Sequence, residues 1–269
     1  MAVLTTAQKM FFEINGFVML PRLLDASEVE RLRATLYRMR DDNRRREKGV
    51  FLVDKGRSYY ARMGNLLEYD RVFVDFAAHP RLVPLAEDLV GGAVRLEETE
   101  AIINRRDPNA DLEQLRRDHP NAYNLHRAMD PSWGAFVEQG RMHSLFVKAI
   151  AYLTDVGPGD GGTAVVPGSH RMLWPRAQLL EATRLDPTLI HVVEAQAGTV
   201  MMFAETLLHS TTAIRGDRDR VIVTAGYAAP MLRMEVGNYV RPEFAAELPE
   251  SLRPLIAGSQ RWRWTRHYE

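Results

Sequence analysis

Two histidines and one arginine, far apart in the chain, have the types and settings for metal and carboxylate chemistry. His126 stands in residues 123–133, YNLHRAMDPSW, like a metal ligand, but two positions on, where an acidic partner is expected, the residue is Ala128. His209 lies in GTVMMFAETLLHSTTAIRGDRDRVIVTAGY. There a strand delivers the imidazole, a polar loop follows, and Arg220 opens the next strand eleven positions later. In an antiparallel pair, a ligand near the end of one strand and a cation near the start of the next can face one cavity. An arginine there can clamp a carboxylate with two parallel hydrogen bonds, which a lysine cannot do. Taken alone, this spacing has modest specificity, and Arg215 and Arg218 in the loop are its solvated competitors.

The other six histidines read as structural or surface residues. His79 and His119 precede prolines, His143 and His191 begin strands, His170 follows a strand in VVPGSHR, and His267 is in the tail. The chain has no cysteine, which excludes disulfides, thiolate nucleophiles and Cys-based zinc or iron–sulfur sites. Any metal must therefore be held by His, Asp or Glu, ligands suited to iron, manganese, zinc or copper. The 35 basic and 35 acidic residues cancel, so no global field recruits a nucleic acid polymer or an anionic membrane. No apolar run approaches the roughly 20 residues that span a bilayer. The N-terminus lacks the pattern of a secretory signal, so a soluble, cytoplasmic protein is expected.

These residues need elements to position them. With 269 residues, 46% of them hydrophobic, the chain can bury one large core. Residues 7–15 read as a short helix stopped by Gly16, and FVMLPRLL as a strand. Asp25 and Glu28 form a capping-box pattern, after which Val29, Leu32, Leu36 and Met39 recur at helical spacing. The helix ends in the charged segment DDNRRREKG, and a third helix covers residues 72–89, broken or restarted near Pro80. After Gly92 the texture changes to short segments punctuated by Gly, Pro and Asp: VRLEETEAIINR, HSLFVKAIAYLTDV, GTAVVPG, IHVVEAQ, GTVMMFA and RVIVTAGYA. These read as strands of a sandwich or jelly roll. LWPRAQLLEATRLDP reads as a loop with at most one helical turn. RPEFAAELPESLRPLIAG reads as one or two small helices, and the Trp262/Trp264 tail is expected to pack on the body. A single domain is expected over 1–269, mainly helical to residue 92, with a β core over 93–230 and a C-terminal extension over 231–269.

Together these pieces resemble the phytanoyl-CoA dioxygenase-like group of Fe(II)/2-oxoglutarate-dependent oxygenases. The resemblance begins with GFVMLPRLLDASEVERLRATL, continues through AIAYLTDVGPGDGGTAVVPGSHR and ends with LLHSTTAIRGDRDRVIVTAGY. The middle segment is the most specific. By resemblance the fold is mostly β with flanking helices, a double-stranded β-helix or jelly roll with N-terminal helices packed on one sheet. The family pattern holds iron with a His-x-Asp pair and a distal His, and holds 2-oxoglutarate with an Arg. Carried over position by position, the metal ligands are His126 and His209. The 2-oxoglutarate residues are Arg220, Thr211 and Asn104, the last on the strand segment AIIN.

Ala128 stands where the family has its iron-binding carboxylate. The resemblance implies a halogenase, because related halogenases carry Ala or Gly there. Removing the carboxylate vacates one coordination position and one negative charge, and a chloride ion supplies both. Fe(II), 2-oxoglutarate, O2 and chloride are then the cofactors, and the favoured reaction is chlorination of an unactivated aliphatic C–H bond of a small molecule. A second reading is a hydroxylase in which Asp130, Glu205 or water replaces the missing ligand; a third is a non-catalytic binding module. Arg105 and Arg106, in the long loop before His126, could face an anionic or nucleotide-like substrate, or simply be solvated. Tyr123, Trp133 and Phe136 could stack on a flat substrate group, or pack in the core.

Overall fold

Capping decides where the first two helices begin. The Thr5 hydroxyl accepts the Gln8 N–H, and the Gln8 side chain accepts the Thr5 N–H, opening α1 (Thr6–Asn15). Asp25 and Glu28 make the same reciprocal pair before α2 (Ala26–Asp41). Such boxes satisfy N–H groups that a helix start leaves without partners. Gly16 closes α1 in the left-handed conformation, at φ +82°, where a side chain would also strike His170. The computed structural model describes residues 4–54, 56–117, 123–233 and 240–258, apart from the side chains of Arg116 and Tyr123.

Helices α3 (Arg71–Ala77) and α4 (Val83–Val90) are the expected third helix, interrupted around Pro80. The remaining helices are α5 (Leu112–Arg117), α6 (Pro131–Gly134), α7 (Arg176–Leu185), α8 (Pro242–Glu247) and α9 (Arg253–Ile256). Helix α7 corrects the loop expected over LWPRAQLLEATRLDP: it runs for ten residues between Pro175 and Asp186 and buries Leu179 and Thr183. The Trp262/Trp264 tail, His119 and His267 lie outside the described residues.

The strands, in chain order, are β1 (Phe17–Leu20), β2 (Phe51–Val53), β3 (Tyr60–Gly64), β4 (Arg95–Asn104), β5 (Tyr123–His126), β6 (Ala135–Glu138) and β7 (Arg141–Ser144). They continue with β8 (Phe146–Tyr152), β9 (Thr163–Val165), β10 (His191–Val192), β11 (Val200–Ala204), β12 (His209–Thr211) and β13 (Arg220–Ala228). The large sheet has the order β1-β11-β8-β13-β4-β3-β2, the small sheet β10-β9-β12-β5, and β6 and β7 form a separate hairpin. Strands β2 and β3 fall in the stretch expected to be mainly helical. They extend the large sheet past β4 and so widen the wall of the site.

Alternation along the strands of the large sheet divides its residues between two layers. On β13, Val221, Val223 and Ala225 pack outward with Leu36, Phe73 and Leu85 of the N-terminal helices. Ile222 turns inward to join Ile150, Phe203 and Val165, the last from the small sheet. Helices therefore cover one face of the large sheet and the small sheet faces the other, which is the jelly-roll arrangement with unclosed sheets. Among the described residues no helix is long and apolar enough to cross a membrane.

Candidate functional site

Strands β5 and β12 pair antiparallel so that His126 lies directly opposite His209. Their ring centroids are 4.4 Å apart. Each Nδ1 sits on a backbone carbonyl two residues earlier, Asn124 at 2.8 Å for His126 and Leu207 at 2.9 Å for His209. A carbonyl only accepts, so each Nδ1 is the donor in these bonds, which leaves Nε2 as the nitrogen that can face a metal. Asn124 reaches this geometry with a left-handed φ of 55°. Burial pushes His209 down to about 4, with His126 and Lys148 adding to the fall and Glu205 opposing it. The neutral imidazole is the form that ligates metals. Among the described residues no group of three His, Asp or Glu side chains is placed to hold a metal ion.

The two rings open on a cavity of about 550 Å³ between the sheets. At one end, Tyr60, Asn104 and Arg220 form a row across β3, β4 and β13, since Asn104 pairs with both neighbours. Facing them are Thr163 and Thr211, paired across β9 and β12. Arg220 is 2% exposed, and its nearest polar partner is the Thr163 hydroxyl, 3.5 Å from Nη2. Among the described residues its Nε and Nη1 have no hydrogen-bond partner, nor does Asn104 Oδ1. Burial lowers the Arg220 pKa, against the neighbouring Tyr152 and Tyr60, but guanidinium stays charged at any working pH. A buried cation with idle donors costs free energy unless something oxygen-rich fills the space. The structure thus brings together His126, His209, Asn104, Thr211 and Arg220, which lie up to 116 positions apart (220 − 104).

Ala128 follows directly on the His126 strand and is exposed. Its N–H and that of Met129 both donate to the Glu205 carbonyl, at 3.0 and 3.2 Å. Glu205 itself is 1% exposed, and its Oε1 lies 2.7 Å from Lys148 Nζ. Lys148 also touches Glu98 Oε1 at 2.5 Å. Burial works to raise the Glu205 pKa, but Lys148, His209 and His126 outweigh it and hold the carboxyl low. The cavity end away from Arg220 is formed by Glu98, Glu100, Arg62, Lys148 and Thr224, and Arg62 pairs with Glu100. Sequence reading missed this charged wall. The signal was the polar half of EETEAIIN on β4, which reads as a solvent face but turns toward the cavity.

Other expected site residues are placed elsewhere. Asp130 caps α6 by accepting the Ser132 N–H at 3.0 Å, and pairs with Arg127 at 2.6 Å. It does not line the cavity. Arg105 and Arg106 do not line the cavity; they pair with Asp219, at 2.8 Å, and with Asp217 in the loop before β13. Trp133 is 52% exposed on α6 and does not line the cavity either. Phe136 stacks on His143 in the hairpin, with centroids 5.2 Å apart, because the α6 turn carries the chain away from the site. The Tyr123 side chain lies outside the described side chains. Arg218 pairs with Asp160 at 2.6 Å, well away from the Arg220 pocket residues.

Known proteins share this fold. HygX from Streptomyces hygroscopicus, in a structure with nickel and 2-oxoglutarate bound, is 25% identical, with 86% of this chain and 89% of HygX covered and a TM-score of 0.68. A further HygX structure also holds hygromycin B. The iron-bound EctD from S. alaskensis shares the fold at 20% identity, with 90% of this chain and 83% of EctD covered and a TM-score of 0.63. So does SnoK, a non-heme alpha-ketoglutarate-dependent carbocyclase from nogalamycin biosynthesis, at 19% identity, 84% coverage of each chain and a TM-score of 0.60. The sequence matches the family described as phytanoyl-CoA dioxygenase (PhyH) over residues 12–222. With the match covering most of its length, the chain belongs to the phytanoyl-CoA dioxygenase family of iron- and 2-oxoglutarate-dependent oxygenases.

Proposed function

We propose that the protein binds Fe(II) through His126 and His209 and uses 2-oxoglutarate to functionalise an aliphatic C–H bond of a small molecule, with halide in the position left by Ala128. The observation that carries this reading is the facing histidine pair, to which no third His, Asp or Glu among the described residues is added, with Ala128 two positions after His126. The residues present fit the cofactors. Two neutral imidazoles suit a divalent transition metal. Arg220, with two idle donors beside Asn104, Thr163 and Thr211, suits the distal carboxylate of 2-oxoglutarate. When bound, the iron centre supplies the O2 chemistry that couples loss of CO2 from 2-oxoglutarate to attack on substrate.

The protein's own contribution is placement. Arg220 fixes the far end of the cosubstrate, and the carbonyls of Asn124 and Leu207 set the orientation of the two imidazoles. A polar small molecule with hydroxyl or amino groups suits the end formed by Glu100, Arg62 and Thr224, in keeping with the hygromycin B held by HygX. The anionic substrate implied by Arg105 and Arg106 loses its support, because both cations have acidic partners.

A second reading, hydroxylation or another oxidation, is favoured by a different observation. Glu205 lies within electrostatic reach of both histidines, and its carbonyl is bonded to the backbone of Ala128 and Met129. Anaerobic titration of chloride or bromide into the protein loaded with Fe(II) and 2-oxoglutarate separates the two. The halide reading expects the metal-to-ligand absorption to shift saturably in the wild type and to stay unmoved in Ala128→Asp. No halide response in the wild type overturns it in favour of oxidation without halogen transfer.

A further inference from the structure

Lys148 is a half-buried cation in the cavity wall that the proposed chemistry does not use. It extends from β8 between two carboxylates, 2.5 Å from Glu98 Oε1 and 2.7 Å from Glu205 Oε1. The three side chains are assembled rather than incidental. Glu98 on β4, Gly226 on β13 and Lys148 on β8 occupy one row across the large sheet, and Phe203 on β11 continues it. A Cβ on Gly226 would stand 2.7 Å from Glu98 Cγ, so glycine there makes room for that carboxylate to lie across the strand. Glu205 follows Phe203 by two residues, and its own carbonyl is fastened to the N–H groups of Ala128 and Met129. Its backbone is therefore anchored to that of the vacated position, and its Oε1 lies against Lys148.

We propose that Lys148 is a positioning residue that keeps Glu205 out of the coordination position left open by Ala128, and so fixes a two-histidine rather than a three-ligand centre. This rests on the metal site proposed above. Glu205 lies four residues before His209 and is tied by its carbonyl to the N–H of Ala128, two after His126, so its backbone is fastened to both ligand segments. Asp130 is held by its own helix cap and by Arg127. A lysine that gathers two carboxylates stabilises each of them only while it is present; without it, a buried carboxylate must find another cation. The metal is the next cation within reach. Lys148 thereby also preserves room for an exogenous anion. Glu98 shares the lysine, which leaves the cluster one negative charge in excess near the metal without occupying a ligand position.

Co(II) binding in the presence of 2-oxoglutarate tests this without turnover. Partners outside the coordination sphere move metal affinity by about 10- to 100-fold, so a carboxylate entering it is expected to move affinity by at least about tenfold. The variant used is Lys148→Met/Glu98→Gln, which removes one cation and one anion and keeps the cluster's net charge. It is expected to bind Co(II) about tenfold tighter than the wild type, with an altered d–d spectrum that azide no longer perturbs. Adding Glu205→Gln should return affinity and azide response to wild-type values, and Lys148→Arg should behave as wild type. Far-UV circular dichroism establishes that each variant is folded; if the double variant is not, Lys148→Arg against Lys148→Gln carries the same comparison. Unchanged affinity and a retained azide response in the double variant overturn the clamp while leaving the metal site intact. Wild-type Co(II) binding indifferent to His209→Ala overturns the metal site and the clamp together.

Discussion

Arg220 shows how much one side chain can specify. Its guanidinium is buried beside threonine and asparagine, with Nε and Nη1 unpaired among the described residues, and the proposed role of its fork is to hold a planar anion. Arg220→Lys keeps the charge and loses the paired donors. At about 1.5–3 kcal/mol for a hydrogen bond to a charged group, 2-oxoglutarate should bind roughly 10- to 150-fold more weakly, measured by calorimetric titration in the presence of Co(II). Equal affinity in the two proteins would remove Arg220 from the cosubstrate site. This arginine and the two histidines were legible in the sequence because each type has few competing uses at a strand end. Lys148 and Glu98 were not, because an alternating charged strand looks the same whether its polar face meets solvent or a wet cavity. The ion pairs of Arg105 and Arg106 were not legible either: their partners, Asp219 and Asp217, are more than a hundred residues away in the chain.

At the scale of elements, periodicity and caps were readable and short or bracketed elements were not. The α1 and α2 starts follow from local capping chemistry, and β8, β11 and β13 from their apolar runs. Strand β3 has the sequence YARMG, too short for alternation to register, and α7 is hemmed in by Pro175 and Pro187, which read as turn signals. The junction of α1 with the turn after β9 makes a further prediction. Burial, together with Arg171, pushes His170 down to about 4, and its ring fits against Gly16 and Phe12. Its folded pKa lies below the unfolded value near 6.5, so the unfolded chain binds the extra proton first. The contribution of neutral His170 is fully present above about pH 6.5 and is lost as pH falls from there to 4. The full shift corresponds to about 3 kcal/mol. Urea unfolding of metal-free protein at pH 7.5 and pH 4.5 should therefore show a larger loss in the wild type than in His170→Gln. Equal losses would place the acid sensitivity elsewhere.

At the scale of the whole molecule, the two sheets divide the site between them. Arg220 and Asn104 belong to the large sheet, and His126, His209 and Thr211 to the small one. In the proposed site a metal ion alone would engage only the small sheet, whereas 2-oxoglutarate held by both metal and Arg220 would tie one sheet to the other. Ligands that bind only the folded state stabilise it by mass action, about 2.7 kcal/mol at a concentration of 100 Kd. For a chain of this length each kcal/mol moves Tm by about 2 °C, so 2-oxoglutarate at that excess should raise the Tm of the metal-loaded protein by about 5 °C. Because the cosubstrate depends on both walls, its increment should vanish without metal and in His209→Ala. Arg220→Met should keep the metal's increment and lose that of 2-oxoglutarate. Calorimetric scans of the three proteins, each with metal, with 2-oxoglutarate and with both, measure this directly. An equal 2-oxoglutarate increment with and without metal would mean that the acid binds one wall only, and that the facing histidines and Arg220 do not act on a common ligand.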